Sequence, residues 1–305
     1  MTALGTTIAV IGLGSMGLGM AKSLLRAGHV VRGFDVNPAS LENLSQAGGI
    51  SCASPADAAI GAEVAVTVVV NAKQTETVLF GEDGITSNLP KGSVIISCAT
   101  ISPAEAKAYA GKVEALGYLY VDGPISGGAV KAGNGELTFM ASGTEEAFAK
   151  AEPALDAMAG TVYRLGDSAG VGSSFKIVNQ LLAGVHIAAA CEAITFAKSL
   201  DLDISKVFDV ITKSAGNSWM FENRVPHVLA GDYTPHSAVS IFTKDLGIVS
   251  DIGRGQKFPL PITSAALQLF IMTEAAGMGR DDDSSVARLL AQITGLQLPG
   301  MGEDA

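Results

Sequence analysis

Basic residues are scarce in this chain: 20 Lys and Arg stand against 30 Asp and Glu, a net charge of −10 over 305 residues. They form no stripe or run, which disfavours a nucleic-acid surface or an anionic membrane as partner. An anionic small molecule has to be attracted locally, against the field of the whole protein. Cysteine is scarce too. Cys52, Cys98 and Cys191 are far apart, odd in number and without a C-x-x-C pair, so neither a disulfide framework nor a zinc cluster is expected. They read as small buried hydrophobes in a reducing cytoplasm. His29, His186, His227 and His236 lack metal-ligand spacing, and no metal is expected. No positive charge precedes Lys22 and glycines break the first apolar run, unlike a signal peptide.

Apolar runs long enough for a membrane are missing but for one, residues 177–197 between Lys176 and Lys198. Asn179, Gln180, His186 and Glu192 interrupt it, and such groups are expensive in lipid. A long helix buried among protein neighbours is the expected form, with no membrane partner.

Hydrophobic residues are abundant, at 48%, and the length suits one large domain or two ordinary ones. In the first half, β-branched runs at 7–11, 30–35, 64–70, 94–97, 118–122, 137–141 and 162–165 alternate with helical patterns at 16–27, 39–47, 103–116 and 145–159. That alternation predicts βαβ units and a mainly parallel sheet. "TIAVIG" and "VAVTVVV" lack polar alternation, as strands covered on both faces do. After Gly166 strand signals vanish, and helical patterns follow at 172–199, 204–214, 237–254, 262–276 and 284–292. The expected organisation is an α/β domain over 1–168 and an all-helical substrate and oligomerisation domain over 169–305. Apolar helices of that second domain want partners, which points to a homodimer or homotetramer.

The first predicted strand runs into "GLGSMG", residues Gly12, Leu13, Gly14, Ser15, Met16 and Gly17, and then into a helix. G-x-G-x-x-G in that context is a dinucleotide fingerprint. Its glycines allow a tight turn, backbone approach to a pyrophosphate, and close helix–strand packing. The phosphates lie at the helix N-terminus, where free N–H groups and the macrodipole favour anions. The second strand ends at Asp35, 18 residues beyond Gly17. A carboxylate there accepts hydrogen bonds from both adenosine ribose hydroxyls and repels a 2′-phosphate, so NAD is expected over NADP. The same carboxylate can also simply cap the loop before Pro38.

Two further clusters carry chemistry. "GVGSSFKIVNQ" places Lys176, Asn179 and Gln180 at i, i+3 and i+4 on one helix face. A lone lysine at a helix end often only snorkels, but here polar groups recur one turn on, and Gly170 and Gly172 permit close approach of another segment. "DGPISGG" offers Ser126, Gly127 and Gly128 after a strand, a hydroxyl and backbone N–H groups that make a small anion cradle; an ordinary glycine-rich loop has the same composition.

The ordered motifs "GLGSMG", "DGPISGG", "GVGSSFKIVNQ" and "FTKDLG" resemble the β-hydroxyacid dehydrogenase family, relatives of 3-hydroxyisobutyrate and 6-phosphogluconate dehydrogenases, over nearly the whole chain. The resemblance implies a Rossmann domain, a helical domain reached through a long helix, and an active site in the cleft between them. It implies a small hydroxyacid as substrate, with Lys176 catalytic. Ser126, Gly127 and Gly128 then hold the substrate carboxylate and Asn179 helps to orient the substrate, while Thr100 and Lys244 touch the cofactor. From their own chemistry, the small polar side chains of Ser126, Asn179 and Gln180 can hydrogen-bond a polyhydroxy acid, and Val70 and Asn71, in the turn that ends the β-branched run at 64–70, are expected at the cofactor. Two departures stand out: Ser97 and Ala99 where the family shows Asp and Ser, and Val70-Asn71 where it shows Leu-Pro. "KIVNQLLAGVHIAAACEA", "SAGNSWMFENRVPHVL" and "KFPLPIT" resemble one subgroup of that family, the bacterial L-threonate dehydrogenases. Trp219 and Phe221 can wall a pocket or pack a core. For hydroxyl oxidation the lysine takes a proton while hydride leaves for nicotinamide, so burial and the positive ring are expected to lower its pKa. A non-catalytic cofactor-binding relative is expected to have lost this lysine.

Overall fold

The unalternating "TIAVI" run becomes β1 (Thr7–Ile11), whose residues after Thr7 are all buried. Around it, in the computed structural model, lie β2 (Val30–Phe34), β3 (Ile50–Ser51), β4 (Val64–Thr67), β5 (Val94–Ser97) and β6 (Leu119–Asp122). Residues 5–302 are described. The six strands are all parallel, in the order β3-β2-β1-β4-β5-β6. Period-two alternation divides the sheet between two cores. Ile8, Val10, Val64, Val66 and Ile96 pack one face against Met20, Leu24, Phe148 and Leu155. Ala9, Ile11, Ala65, Ile95 and Tyr120 pack the other against Leu79, Tyr109 and Val113. Coverage on both faces is why polar alternation is missing. The strand order reverses between β1 and β4, and in such sheets ligands bind beyond the carboxyl ends of the strands at that point.

The later strand signals join a different sheet. β7 (Ile125–Ser126) pairs antiparallel with β8 (Leu137–Ala141), and β8 pairs parallel with β9 (Ala159–Arg164). Gly123 and Pro124 turn the chain out of the first sheet after β6, and the Pro124 carbonyl accepts the Met140 amide at 2.9 Å. β3, two residues long, is too short to show a period in sequence.

The chain divides into two compact units, one ending at Lys176 and the other beginning at Ile177. The division between these units lies inside the helix Val171–Ser199, whose start is hydrogen-bonded to Asp122 of the first unit. The outermost ends of both expected domains, residues 1–4 and 303–305, lie outside the described residues.

The second unit is helical among its described residues: Ile204–Ile211, Trp219–Ala230, Val239–Gln256, Pro261–Thr273 and Val286–Thr294 follow the long helix. That helix is long and apolar enough to cross a membrane by length and composition, yet half of its most apolar window is buried inside the protein. Ala183, Ile187, Cys191 and Ile194 form a core with Phe221, Phe242 and Phe270. Phe221 is thus a core residue, whereas Trp219 is exposed. All three cysteines are free and buried.

Candidate active site

Gly12 follows β1 with φ 93°, and a Cβ there would lie 2.3 Å from the Val68 carbonyl oxygen. At Gly17, where the helix Gly17–Arg26 begins, a Cβ would lie 1.9 Å from the Gly12 oxygen. The back of the loop is therefore closed by backbone. Its front is open: nothing stands within 4 Å of a Cβ built on Gly14. That opening belongs to a cavity of about 550 Å³ lined by Leu13, Gly14, Ser15, Lys22, Asn37, Gly133 and neighbouring side chains. A backbone closed behind and open in front, at a helix start, fits a dinucleotide pyrophosphate.

Asp35, just past β2, accepts the Leu13 amide at 2.6 Å and the Asn37 amide at 2.7 Å. The carboxylate therefore both caps its own loop and pins the glycine-rich turn to the second strand. Past β4, the Val70 amide donates to Gln74 Oε1 at 2.9 Å, and Asn71 Oδ1 accepts the Gln74 amide at 2.9 Å to cap the helix Ala72–Phe80. Thr100 is half-buried, three residues past β5. Because the strands are parallel, the loops after β1, β4, β5 and β6 all leave the same edge of the sheet.

The loop after β6 carries Ser126, Gly127 and Gly128, the two glycines with φ 138° and 78°. Its continuation, the helix Gly128–Asn134, is tied to the helix after the nucleotide loop: Ser23 Oγ donates to the carbonyls of Ala132 and Gly133 at 2.9 and 3.1 Å. The nucleotide cavity and the serine–glycine loop are consequently neighbours within one unit.

Asp122, at the end of β6 and 1% exposed, holds the start of the lysine helix. Its Oδ2 accepts the Gly170 and Ser173 amides at 2.8 and 2.9 Å, and its Oδ1 accepts the Ser173 hydroxyl at 2.7 Å. Burial pushes its carboxyl above the ordinary value, against the lowering by the Ser173 and Gly170 bonds. Gly172 sits where a Cβ would press on the Met140 carbonyl at 2.3 Å. So anchored, the helix delivers Lys176, 8% exposed, to the serine–glycine loop, and its Nζ donates to the Ile125 carbonyl at 2.8 Å. Ile125 directly precedes Ser126.

One turn further along the helix, in the second unit, Gln180 is buried and Asn179 half-buried. Asn179 Nδ2 donates to Gln180 Oε1 at 2.9 Å, and Gln180 Nε2 donates to Asp245 Oδ2. The other Asp245 oxygen lies 2.5 Å from Lys244 Nζ. Gln180 thus has both ends of its amide engaged by protein, and Asn179 is the outer member of the pair.

Sequence reasoning passed over Asp122 and Asp245. The only signal in the chain is a carboxylate ending an apolar strand for the first, and its place beside Lys244 for the second.

Comparison with known proteins agrees with this architecture. Residues 7–166 match a family model described as the NAD binding domain of 6-phosphogluconate dehydrogenase. Residues 170–290 match one described as NAD-binding of NADP-dependent 3-hydroxyisobutyrate dehydrogenase. An L-threonate dehydrogenase from Cupriavidus necator is 52% identical over 97% of this chain and 99% of its own length. One from Escherichia coli K12 is 47% identical over 96% of both. A crystal structure from Salmonella typhimurium, described as 3-hydroxyisobutyrate dehydrogenase, superposes with TM-score 0.89 at 48% identity, covering 93% of this chain and 99% of that one.

Proposed function

This chain belongs to the β-hydroxyacid dehydrogenase family and is an NAD-dependent hydroxyacid dehydrogenase, and on that premise we propose that its substrate is L-threonate, oxidised at the second carbon to 2-oxotetronate, with Lys176 as acid/base. The L-threonate dehydrogenases matched at about half identity and nearly full length support the substrate. The observation that carries the mechanism is the 2.8 Å bond from Lys176 Nζ to the Ile125 carbonyl, which holds the amine at the edge of the serine–glycine loop.

Bound NAD supplies the ring that accepts hydride. The Ser126 hydroxyl and the N–H groups of Gly127 and Gly128 receive the substrate carboxylate, which local donors must do in a chain of net charge −10. A neutral Lys176 donates one N–H to Ile125 and turns its lone pair away from that carbonyl, toward the substrate hydroxyl, whose proton it takes. In the reverse direction the ammonium returns that proton to the forming alkoxide. Asn179 bonds a substrate hydroxyl, and Thr100, Lys244, Val70 and Asn71 contact the cofactor. Asp35 accepts from the adenosine ribose and disfavours a 2′-phosphate, so NAD is preferred to NADP. The protein acts in the cytoplasm as a homodimer or homotetramer. Three free buried thiols and the exposed apolar side chains Val178, Leu182 and Phe196 on one helix support that reading.

The Salmonella structure favours 3-hydroxyisobutyrate as a second reading, and tartronate semialdehyde reduction uses the same machinery. Purified protein offered L-threonate, 3-hydroxyisobutyrate and tartronate semialdehyde, with NADH absorbance followed, decides among them. The highest kcat/KM is expected for L-threonate, and a higher value for either competitor displaces it.

A further inference from the structure

We propose that Asp245 is a positioning residue that sets the direction of the Asn179 amide, so that Asn179 presents its carbonyl oxygen, an acceptor, to a substrate hydroxyl. The proposal rests on the reading that Asn179 meets the substrate.

Hydrogen-bond polarity passes along three side chains. Asp245 is 1% exposed and one of its oxygens is engaged by the Lys244 ammonium at 2.5 Å. A carboxylate so paired only accepts. The Gln180 side chain that faces it must therefore offer its N–H₂ group, as it does. With nitrogen fixed at that end, the Gln180 oxygen lies at the other, where it can only accept, and Asn179 supplies an N–H at 2.9 Å. Asn179 has then turned its nitrogen inward, which leaves Oδ1 as its outward group.

Gln180 is buried, so reversal has a definite penalty. A flipped Gln180 would set its oxygen against a carboxylate oxygen, with no water to compensate. The relay thus converts one buried negative charge into an acceptor two side chains away. A hydroxyl at that point of the substrate donates to it, and a carboxylate or keto oxygen there is rejected because two acceptors then face each other. A polyhydroxy acid has the hydroxyl to satisfy it.

The test is a double-mutant cycle that moves the negative charge along the relay without changing the net charge. In Asp245→Asn the residue facing Gln180 can donate or accept, direction is lost, and the hydroxyacid KM is expected to rise roughly three- to tenfold. In Gln180→Glu two carboxylates face each other, and the loss is greater. The pair Gln180→Glu with Asp245→Asn restores order: the new amide at position 245 donates to the new carboxylate at position 180, which still accepts from Asn179. Its hydroxyacid KM is expected to return to within about twofold of wild type, a coupling that independent sites would not show. A double variant no better than the worse single, or an Asp245→Asn enzyme with unchanged hydroxyacid KM, overturns the relay while leaving the dehydrogenase reading standing. Should the wild type turn over no hydroxyacid, the functional reading fails and the relay is read directly from the ¹⁵N side-chain amide resonances of Asn179 and Gln180. Both pairs shift in Asp245→Asn if the relay exists, and unshifted pairs overturn it.

Discussion

Asp122 takes both the amide and the hydroxyl of Ser173, at 2.9 and 2.7 Å, one helical turn ahead of the lysine. The residue that closes a sheet strand therefore also fixes where the lysine helix begins. Asp122→Asn keeps the shape but replaces one acceptor oxygen by a donor among groups that all donate. Urea unfolding should show a loss of roughly 1–3 kcal/mol. kcat should fall on the order of tenfold to a hundredfold, since misplacing a reacting group is costly. Unchanged kcat in a destabilised protein would separate the anchor from the chemistry.

Lys176→Ala tests the acid/base assignment. Removing the amine should lower kcat by a factor on the order of 10²–10⁴ while NAD binding, followed by fluorescence titration, stays near wild type. A variant that keeps its turnover would take Lys176 out of the mechanism.

The nucleotide loop makes a contrast between two glycines. A Cβ at Gly17 meets backbone at 1.9 Å, so Gly17→Ala should destabilise the fold by about 1–3 kcal/mol, seen as a lower Tm. A Cβ at Gly14 meets nothing within 4 Å. Gly14→Ala should leave Tm within about a degree, as surface changes do, yet weaken NAD binding by about tenfold through the lost backbone approach. Equal effects on Tm would contradict the geometry of the turn.

Acid stability has a source outside the site. Asp282 is fully buried and accepts from His227 Nδ1 at 2.9 Å and from the Ser284 hydroxyl at 2.7 Å. Burial alone would raise its pKa, but the His227 and Ser284 bonds outweigh it and lower the group from 3.8 to about 2. A carboxyl with a folded pKa below its unfolded one stabilises the fold above the unfolded value, and that contribution vanishes as pH falls from about 4 to about 2. Wild type should therefore lose ~2 kcal/mol over that interval that Asp282→Asn does not lose. Parallel acid limbs in the two proteins, measured by urea unfolding at stepped pH, would refute it.

The first unit was largely legible in the chain. "TIAVIG" and "VAVTVVV" are strands because a sheet covered on both faces leaves no reason for polar alternation, and Gly12 and Gly17 report a turn that side chains would block, with Gly14 open at its front. The lysine helix was legible through its apolar length, and its polar start through Lys176, Asn179 and Gln180. Long-range placement was not. The strand signals at 137–141 and 162–165 were visible, but not that they leave the main sheet. Gln180 carried a polar signal that pointed to a ligand, whereas its amide lies between Asn179 and Asp245.

The sequence by itself determined most of the elements and the nucleotide loop, since each follows from interactions among residues a few positions apart. Only the tertiary structure decided what those residues face. Asp122 meets Ser173 across 51 positions and Gln180 meets Asp245 across 65. A buried hydrogen bond of that kind is set by folded geometry and burial, and one-dimensional spacing holds no record of it.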